Sequence, residues 1–231
     1  MNLPVVRIAC EQALDLEDFR KMDYYAVENY GLPIELMMEN AGLNLARLVA
    51  QHVAPQETIQ IGVGPGNNGG GGLVAARRLL AWGFKVHLHL PPKSLQGLPQ
   101  KQLERALSFG AKPGLATAPS VYVDAYLGFS QRLPLSQFYL EGVQYANGLA
   151  VQRIALDIPT GLAEEGEHPF FNADIVCTLA APKKVLFSKK LHATIYIADL
   201  GIPQKVYDRF GMDYSLPFEQ SGLLLMEQLP A

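Results

Sequence analysis

Seven of the 21 glycines in this chain fall within eleven consecutive positions: Gly62, Gly64, Gly66, Gly69, Gly70, Gly71 and Gly72. Glycine this dense makes either a flexible linker or a place where backbone must approach something closely. Its surroundings decide between the two. Thr58 to Val63 (TIQIGV) is a short β-rich run directly before it, and Gly72 to Trp82 (GLVAARRLLAW) is a helical pattern directly after it, capped by Gly83. A glycine-rich turn between a strand and a helix lets main chain cradle a phosphate, because the helix N-terminus offers unpaired N–H groups and partial positive charge.

The rest of the chain repeats that alternation. Residues 12–30 and about 34–52 read as two helices, the first stopped by Gly31 and Pro33 and the second followed by Pro55. Lys85–Leu90, Ser120–Asp124, Gln152–Asp157, Asp174–Leu179 and Ala193–Ile197 read as further strands, about six in all, with helices over Gln100–Phe109 and Gln137–Tyr145. Strands separated by helices of ten or so residues predict βαβ units and a mostly parallel sheet. No low-complexity linker, repeat or charge block divides the chain, so a single domain over residues 1–231 is expected, with 204–231 as a weakly patterned tail.

Composition mostly excludes. The chain is 49% hydrophobic and 18% charged, a globular balance. A net charge of −3, with no basic run longer than two residues, argues against nucleic acid or an anionic membrane surface. Cys10 and Cys177 are too few for a disulfide framework and lack zinc-ligand spacing. The start MNLPVVRIAC has no signal-peptide pattern, and no run of eighteen apolar residues occurs. A cytoplasmic protein is the expectation. His52, His87, His89, His168 and His192 form no constellation; His87 and His89 read as packing or surface residues.

Gly64-Pro65-Gly66-Asn67-Asn68-Gly69 formally satisfies G-x-G-x-x-G, yet the second strand ends Leu90-Pro91-Pro92-Lys93 with no acid for a ribose. Leu73 after Gly72 excludes a Walker loop. Two other strand ends carry acids, Asp124 and Asp157, the latter followed by Ile158-Pro159-Thr160. In a parallel sheet these ends share one edge with the glycine turn. Asn68, Asp124 and Thr160 are hard oxygen donors, suited to a hard cation rather than zinc.

MMENAG (Met37–Gly42), GPGNNGG followed by GLVAAR (Gly64–Arg77), VDAYLGFS (Val123–Ser130), LDIPTGL (Leu156–Leu162), APK (Ala181–Lys183) and ADLGIP (Ala198–Pro203) occur in this order. That series, spanning about Leu16 to Pro203, resembles the YjeF N-terminal domain family of NAD(P)H-hydrate epimerases. The resemblance implies a Rossmann-like three-layer α/β/α sandwich around a mostly parallel central sheet, a homodimer, hydrated NADH or NADPH as ligand and one potassium ion per subunit. It places Asn67, Asn68, Gly69, Gly70 and Gly71 along the substrate. Asn68, Asp124 and Thr160 would hold potassium. The loop Gly128-Phe129-Ser130-Gln131-Arg132-Leu133-Pro134 would cover the phosphates, and Asp157 would be the catalytic acid–base group at the hydrated nicotinamide. One departure stands out: Gly71 occupies the place where the family's loop carries an acid. The competing readings are a non-catalytic nucleotide-binding or protein-interaction module of the same fold and, from the formal G-x-G-x-x-G and Lys93 near a possible 2′-phosphate, an NADP-dependent oxidoreductase.

Overall fold

The computed structural model describes residues 3–212 and 215–229. Nine strands form one sheet: β1 (Val5–Ile8), β2 (Thr58–Val63), β3 (Lys85–His89), β4 (Lys112–Pro113), β5 (Val121–Ala125), β6 (Gln152–Leu156), β7 (Ile175–Leu179), β8 (Thr194–Ala198) and β9 (Leu223–Gln228). Their order across the sheet is β1-β9-β8-β7-β6-β5-β2-β3-β4. Every neighbouring pair is parallel except β8 with β9.

The helices are α1 (Leu16–Tyr30), α2 (Ile34–Ala50), α3 (Asn67–Ala81), α4 (Gly97–Ser108), α5 (Gln137–Gly148) and α6 (Gln204–Arg209). They cover both faces of the sheet, because alternate strand residues feed two separate cores. Val121, Val123 and Ala125 of β5 pack in a core with Leu45, Leu48, Leu73 and Ala106 from α2, α3 and α4. Tyr122 between them packs in the other core with Phe19, Val143 and Val206 from α1, α5 and α6. A sheet buried on both faces needs strands that are apolar almost throughout, and β2 and β5 are. The chain is therefore an α/β protein of three layers, as the resemblance implies, around the mostly parallel sheet that its alternating pattern predicts.

Two expectations are corrected. The 204–231 stretch is more than a weak tail: α6 packs on α1, and β9 lies antiparallel to β8 and parallel to β1, bridging the N-terminal strand to the sheet. The run LLLMEQ places Leu224 and Met226 in one core and Leu223 in the other. A six-residue strand is too short for its period to stand out from a polar tail.

The glycine cluster is also only partly a turn. α3 starts at Asn67, five residues before the helical pattern suggests, and Gly69–Gly72 are buried in its first turns. Each glycine there costs about 1 kcal/mol of helix propensity relative to alanine. Close packing offsets that cost. A Cβ on Gly69 would lie 2.0 Å from the Gly64 carbonyl oxygen, and one on Gly72 would lie 2.4 Å from Ala125 Cβ.

Candidate active site at the carboxyl edge of the sheet

A cavity of about 520 Å³ opens where β2, β5 and β6 end, a size typical of small-ligand sites. Its floor is the β2–α3 turn. Gly64 lies so close to the segment after β5 that a Cβ would stand 1.7 Å from the Tyr126 carbonyl oxygen. Gly66 begins α3 without a side-chain cap, and the first turn holds no acid. The N–H groups of that turn are thus the positive end of an uncapped helix. Pro65, Gly66, Asn67, Asn68 and Gly71 line the cavity. Gly69 and Gly70 do not: they are buried behind it, against the Gly64 backbone and the Met38 side chain. Their close packing lets the floor exist.

Three side chains form a polar cluster at this edge, of which Asn68 lines the cavity while Asp124 and Thr160 are buried outside its lining. Asp124 at the end of β5 is fully buried. Its Oδ1 accepts from Tyr126 N–H (3.1 Å) and Thr160 Oγ1 (2.8 Å), and its Oδ2 accepts from Thr160 N–H (2.7 Å). Burial pushes its carboxyl up to about 6, with the three hydrogen bonds opposing. Thr160 Oγ1 also accepts from Leu127 N–H. Asn68 is the third. Both amide atoms of its side chain are buried and neither has a hydrogen-bond partner, a state that native proteins avoid unless something else satisfies it. No hydrogen bond joins it to Asp124 or Thr160. The spare lone pairs left on Asn68 Oδ1, Asp124 Oδ2 and Thr160 Oγ1 fit a hard, weakly charged cation.

Asp157 follows β6 in the left-handed region, with φ of 68°. That conformation is uncommon for a residue with a side chain and marks a constrained position. Its Oδ1 accepts from Lys183 Nζ at 2.6 Å and its Oδ2 from Phe129 N–H at 3.0 Å. Lys183 is fully buried. Its three protons go to Asp157, Thr178 Oγ1 (3.1 Å) and the Leu179 carbonyl (2.6 Å), and its Nζ stands 3.8 Å from the Phe19 ring centroid. Burial pulls the ammonium below its ordinary value, against the pull of Asp157.

The loop after β5 forms a docked wall. Gly128 sits between the two polar centres: a Cβ there would lie 3.0 Å from Asp157 Oδ2 and 3.2 Å from Asn68 Cγ. Phe129 packs edge-on against Phe19 at 5.1 Å, with Arg20 over its face. Gln131 accepts from Gly161 N–H and donates to the Leu162 carbonyl, tying the loop to the turn after β6. Gly128, Phe129, Ser130 and Gln131 line the cavity; Arg132, Leu133 and Pro134 lie beyond it.

Two polar residues of the site escape a reading of strand ends and loops. Lys183, within the APK motif, is the partner that holds Asp157. Asp23 comes from α1, which precedes the first βα unit. It lines the cavity, and burial first, then Asp157, push its carboxyl up to about 6 while Lys183 pulls it down. A signal for it exists in the sequence. Asp23 falls four residues after Phe19 and four before Val27, an acid on the apolar stripe of a helix.

Comparison with known proteins places this architecture. The family described as YjeF-related protein N-terminus matches residues 34–185, and that stretch contains every site element above except α1. The chain belongs to this family. It is 34% identical to an NAD(P)H-hydrate epimerase of Rhodopirellula baltica, over 92% of each chain. It is 32% identical to an NAD(P)H-hydrate epimerase of Aedes aegypti, covering 83% of this chain and 89% of that one. A bifunctional NAD(P)H-hydrate repair enzyme of Salinibacter ruber is 31% identical over 87% of this chain, but this chain spans only 42% of its length. Among solved structures, that of the yeast protein ynu0 superposes with a TM-score of 0.81, covering 92% of this chain and 99% of its own at 22% identity, which establishes the shared fold. No helix among the described residues is long and apolar enough to cross a membrane.

Proposed function

We propose that this protein is an NAD(P)H-hydrate epimerase, interconverting the R and S forms of hydrated NADH or NADPH. The single observation that carries the reading is the meeting, in one cavity, of an uncapped helix N-terminus and a carboxylate fixed by a buried lysine. The relatives named as epimerases match over nearly their full length, so the proposal concerns an activity that a chain of this extent performs in them.

The ligand's diphosphate suits the α3 N-terminus, where backbone N–H groups and the helix dipole favour an anion. The hydrated ring then falls toward Asp157. Inversion at the carbon bearing the added hydroxyl needs a proton delivered to the departing oxygen and a proton removed from the water that re-adds on the other face. Asp157 is positioned for such work because Lys183 and the Phe129 N–H hold its carboxylate rigid, leaving Oδ2 beside Gly128 to reach the cavity.

Asn68, Asp124 and Thr160 would hold potassium. The unpartnered amide of Asn68 and the uncompensated charge of buried Asp124 both support this. The ion would neutralise Asp124 and tie together the ends of β5, β6 and the start of α3. A cytoplasmic homodimer belongs to the same reading, and sedimentation of the purified protein tests the dimer.

The activity is tested on purified R hydrate with potassium present. Asp157→Asn should lower kcat by about 100-fold or more, the usual scale for loss of a proton-transfer group. An Asp157→Asn protein of wild-type rate would remove Asp157 from the chemistry. Exchange into a potassium-free tetramethylammonium buffer should abolish activity, and added potassium should restore it.

A further inference from the structure

We propose that Asp23 of α1 is a second proton-transferring group of this site, paired in function with Asp157, which a different element supplies to the same cavity. The inference deepens the epimerase reading and rests on it.

The geometry leaves Asp23 without a structural task. It is half-buried among apolar neighbours on a helix whose adjacent turn supplies Phe19 and Met22 to the core. It nevertheless makes no hydrogen bond and no ion pair with any described residue. The obvious partner is Lys183, but the three ammonium protons of Lys183 are already committed to Asp157, Thr178 and Leu179. Asp23 is thus close enough to feel Lys183 and Asp157, yet bonded to neither. A half-buried carboxyl with free lone pairs costs stability, and such groups collect where chemistry uses them.

Its charge state fits the task. Lys183 and Asp157 are the two charged groups that act on it, one favouring the carboxylate and one opposing it. Burial outweighs both effects, so the carboxyl exchanges its proton near pH 6. Asp157, by contrast, is held in place by Lys183 at 2.6 Å. One acid and one base in a single cavity complete the proton account of the reaction. Protonated Asp23 gives its proton to the hydroxyl as the C–O bond breaks. Water leaves with the bonding pair, and the ring nitrogen lone pair fills the deficit at carbon. A water then forms the new C–O bond from the other face and loses its proton to Asp157. No electrons enter or leave, and one proton has passed from Asp23 to Asp157. Exchange with water in the cavity returns the proton from Asp157 to Asp23 before the next turnover.

The test compares wild type, Asp23→Asn and Asp23→Glu on purified R hydrate, with kcat and KM followed from pH 5 to 9. Asp23→Asn should lose at least about 100-fold in kcat with KM unchanged within about threefold. Wild-type kcat should fall as pH rises through about 6, because the donor proton is lost, and that limb should vanish in Asp23→Asn. Asp23→Glu should regain part of the rate and show the limb again, displaced from its wild-type position, which a merely structural role would not produce. Asp23→Asn with wild-type kcat and an unchanged pH limb would overturn the inference while leaving the epimerase reading intact. Should Asp23→Asn fail to fold, an Asp23→Glu enzyme with an unshifted limb would overturn it equally. A wild type that does not interconvert the hydrates would overturn the epimerase reading itself, and this inference with it.

Discussion

The floor and the wall of the cavity are built by opposite means. The floor, from Gly64 through Gly72, is mostly glycine backbone packed closely on its neighbours. A Cβ at Gly64, Gly69 or Gly72 would meet carbonyl oxygens or Cβ atoms at 1.7 to 2.4 Å. The wall made by α1 and the Lys183 segment is all side chain, with Phe19, Asp23, Lys183 and Asp157 arranged around buried charge. The floor presents N–H groups held by close packing. The wall presents carboxyl groups, one of them paired with a buried lysine. Close packing and buried charge are thus assigned to different parts of the same site.

The sharpest way to break this contrast is to remove a charge from the wall. Lys183→Met leaves Asp157 buried with no counter-ion, which should cost about 3–5 kcal/mol of stability in urea unfolding. A loss below about 1 kcal/mol would mean that the pair is not buried as described. The floor comes next. Gly64→Ala should cost about 3 kcal/mol, the upper end for overpacking, because the atom that its Cβ meets is main chain and cannot rotate away. A stable Gly64→Ala protein would show that the floor is softer than its contacts indicate.

The smallest effect distinguishes a functional acid from a structural one. A folded-state value near 6 for Asp23, against about 3.8 unfolded, means that the folded protein binds the extra proton between those pH values. Stability from this group is complete below about pH 4 and is lost as pH rises through 6. Asp23→Asn should therefore match wild type at pH 4 and exceed it by about 1–2 kcal/mol at pH 8, after allowance for water in the cavity. Thermal unfolding at the two pH values reads this directly. A variant less stable than wild type at pH 8 would show that Asp23 holds the fold together.

The same contrast explains what the sequence made legible. The central strands and the helices between them follow from period and punctuation, as with Thr58–Val63 ending in the glycine turn. The floor is legible because glycine is the only residue that permits such approaches, so its need is written in composition. Asp124 and Asp157 are legible because the ends of parallel strands are where ligands bind. Lys183 and Asp23 are not, because an ion pair 26 residues apart and an acid facing a cavity from a preceding helix leave no periodic trace. Gly69 and Gly70 lie behind the cavity lining, a placement the sequence does not show because spacing alone cannot separate backbone that faces a cavity from backbone that faces a neighbour. β9 was hidden because its pairing with β8 and β1 is a matter of register over long sequence separation.

Gly71 sits at the meeting of floor and wall. It lines the cavity, and a Cβ there would be 3.1 Å from Leu156 Cδ2, so the position is roomier than its glycine neighbours. The resemblance implies an acid at this place in the family's loop, and in this chain the carboxyl groups that line the cavity are those of Asp23 and Asp157. The most direct measurement is therefore the initial rate of R-to-S interconversion of hydrated NADPH, with potassium present, for wild type beside Gly71→Asp. The account predicts turnover by the wild-type protein, changed by less than about tenfold in the substituted one. Wild-type protein without turnover, and activity appearing only with Gly71→Asp, would contradict it.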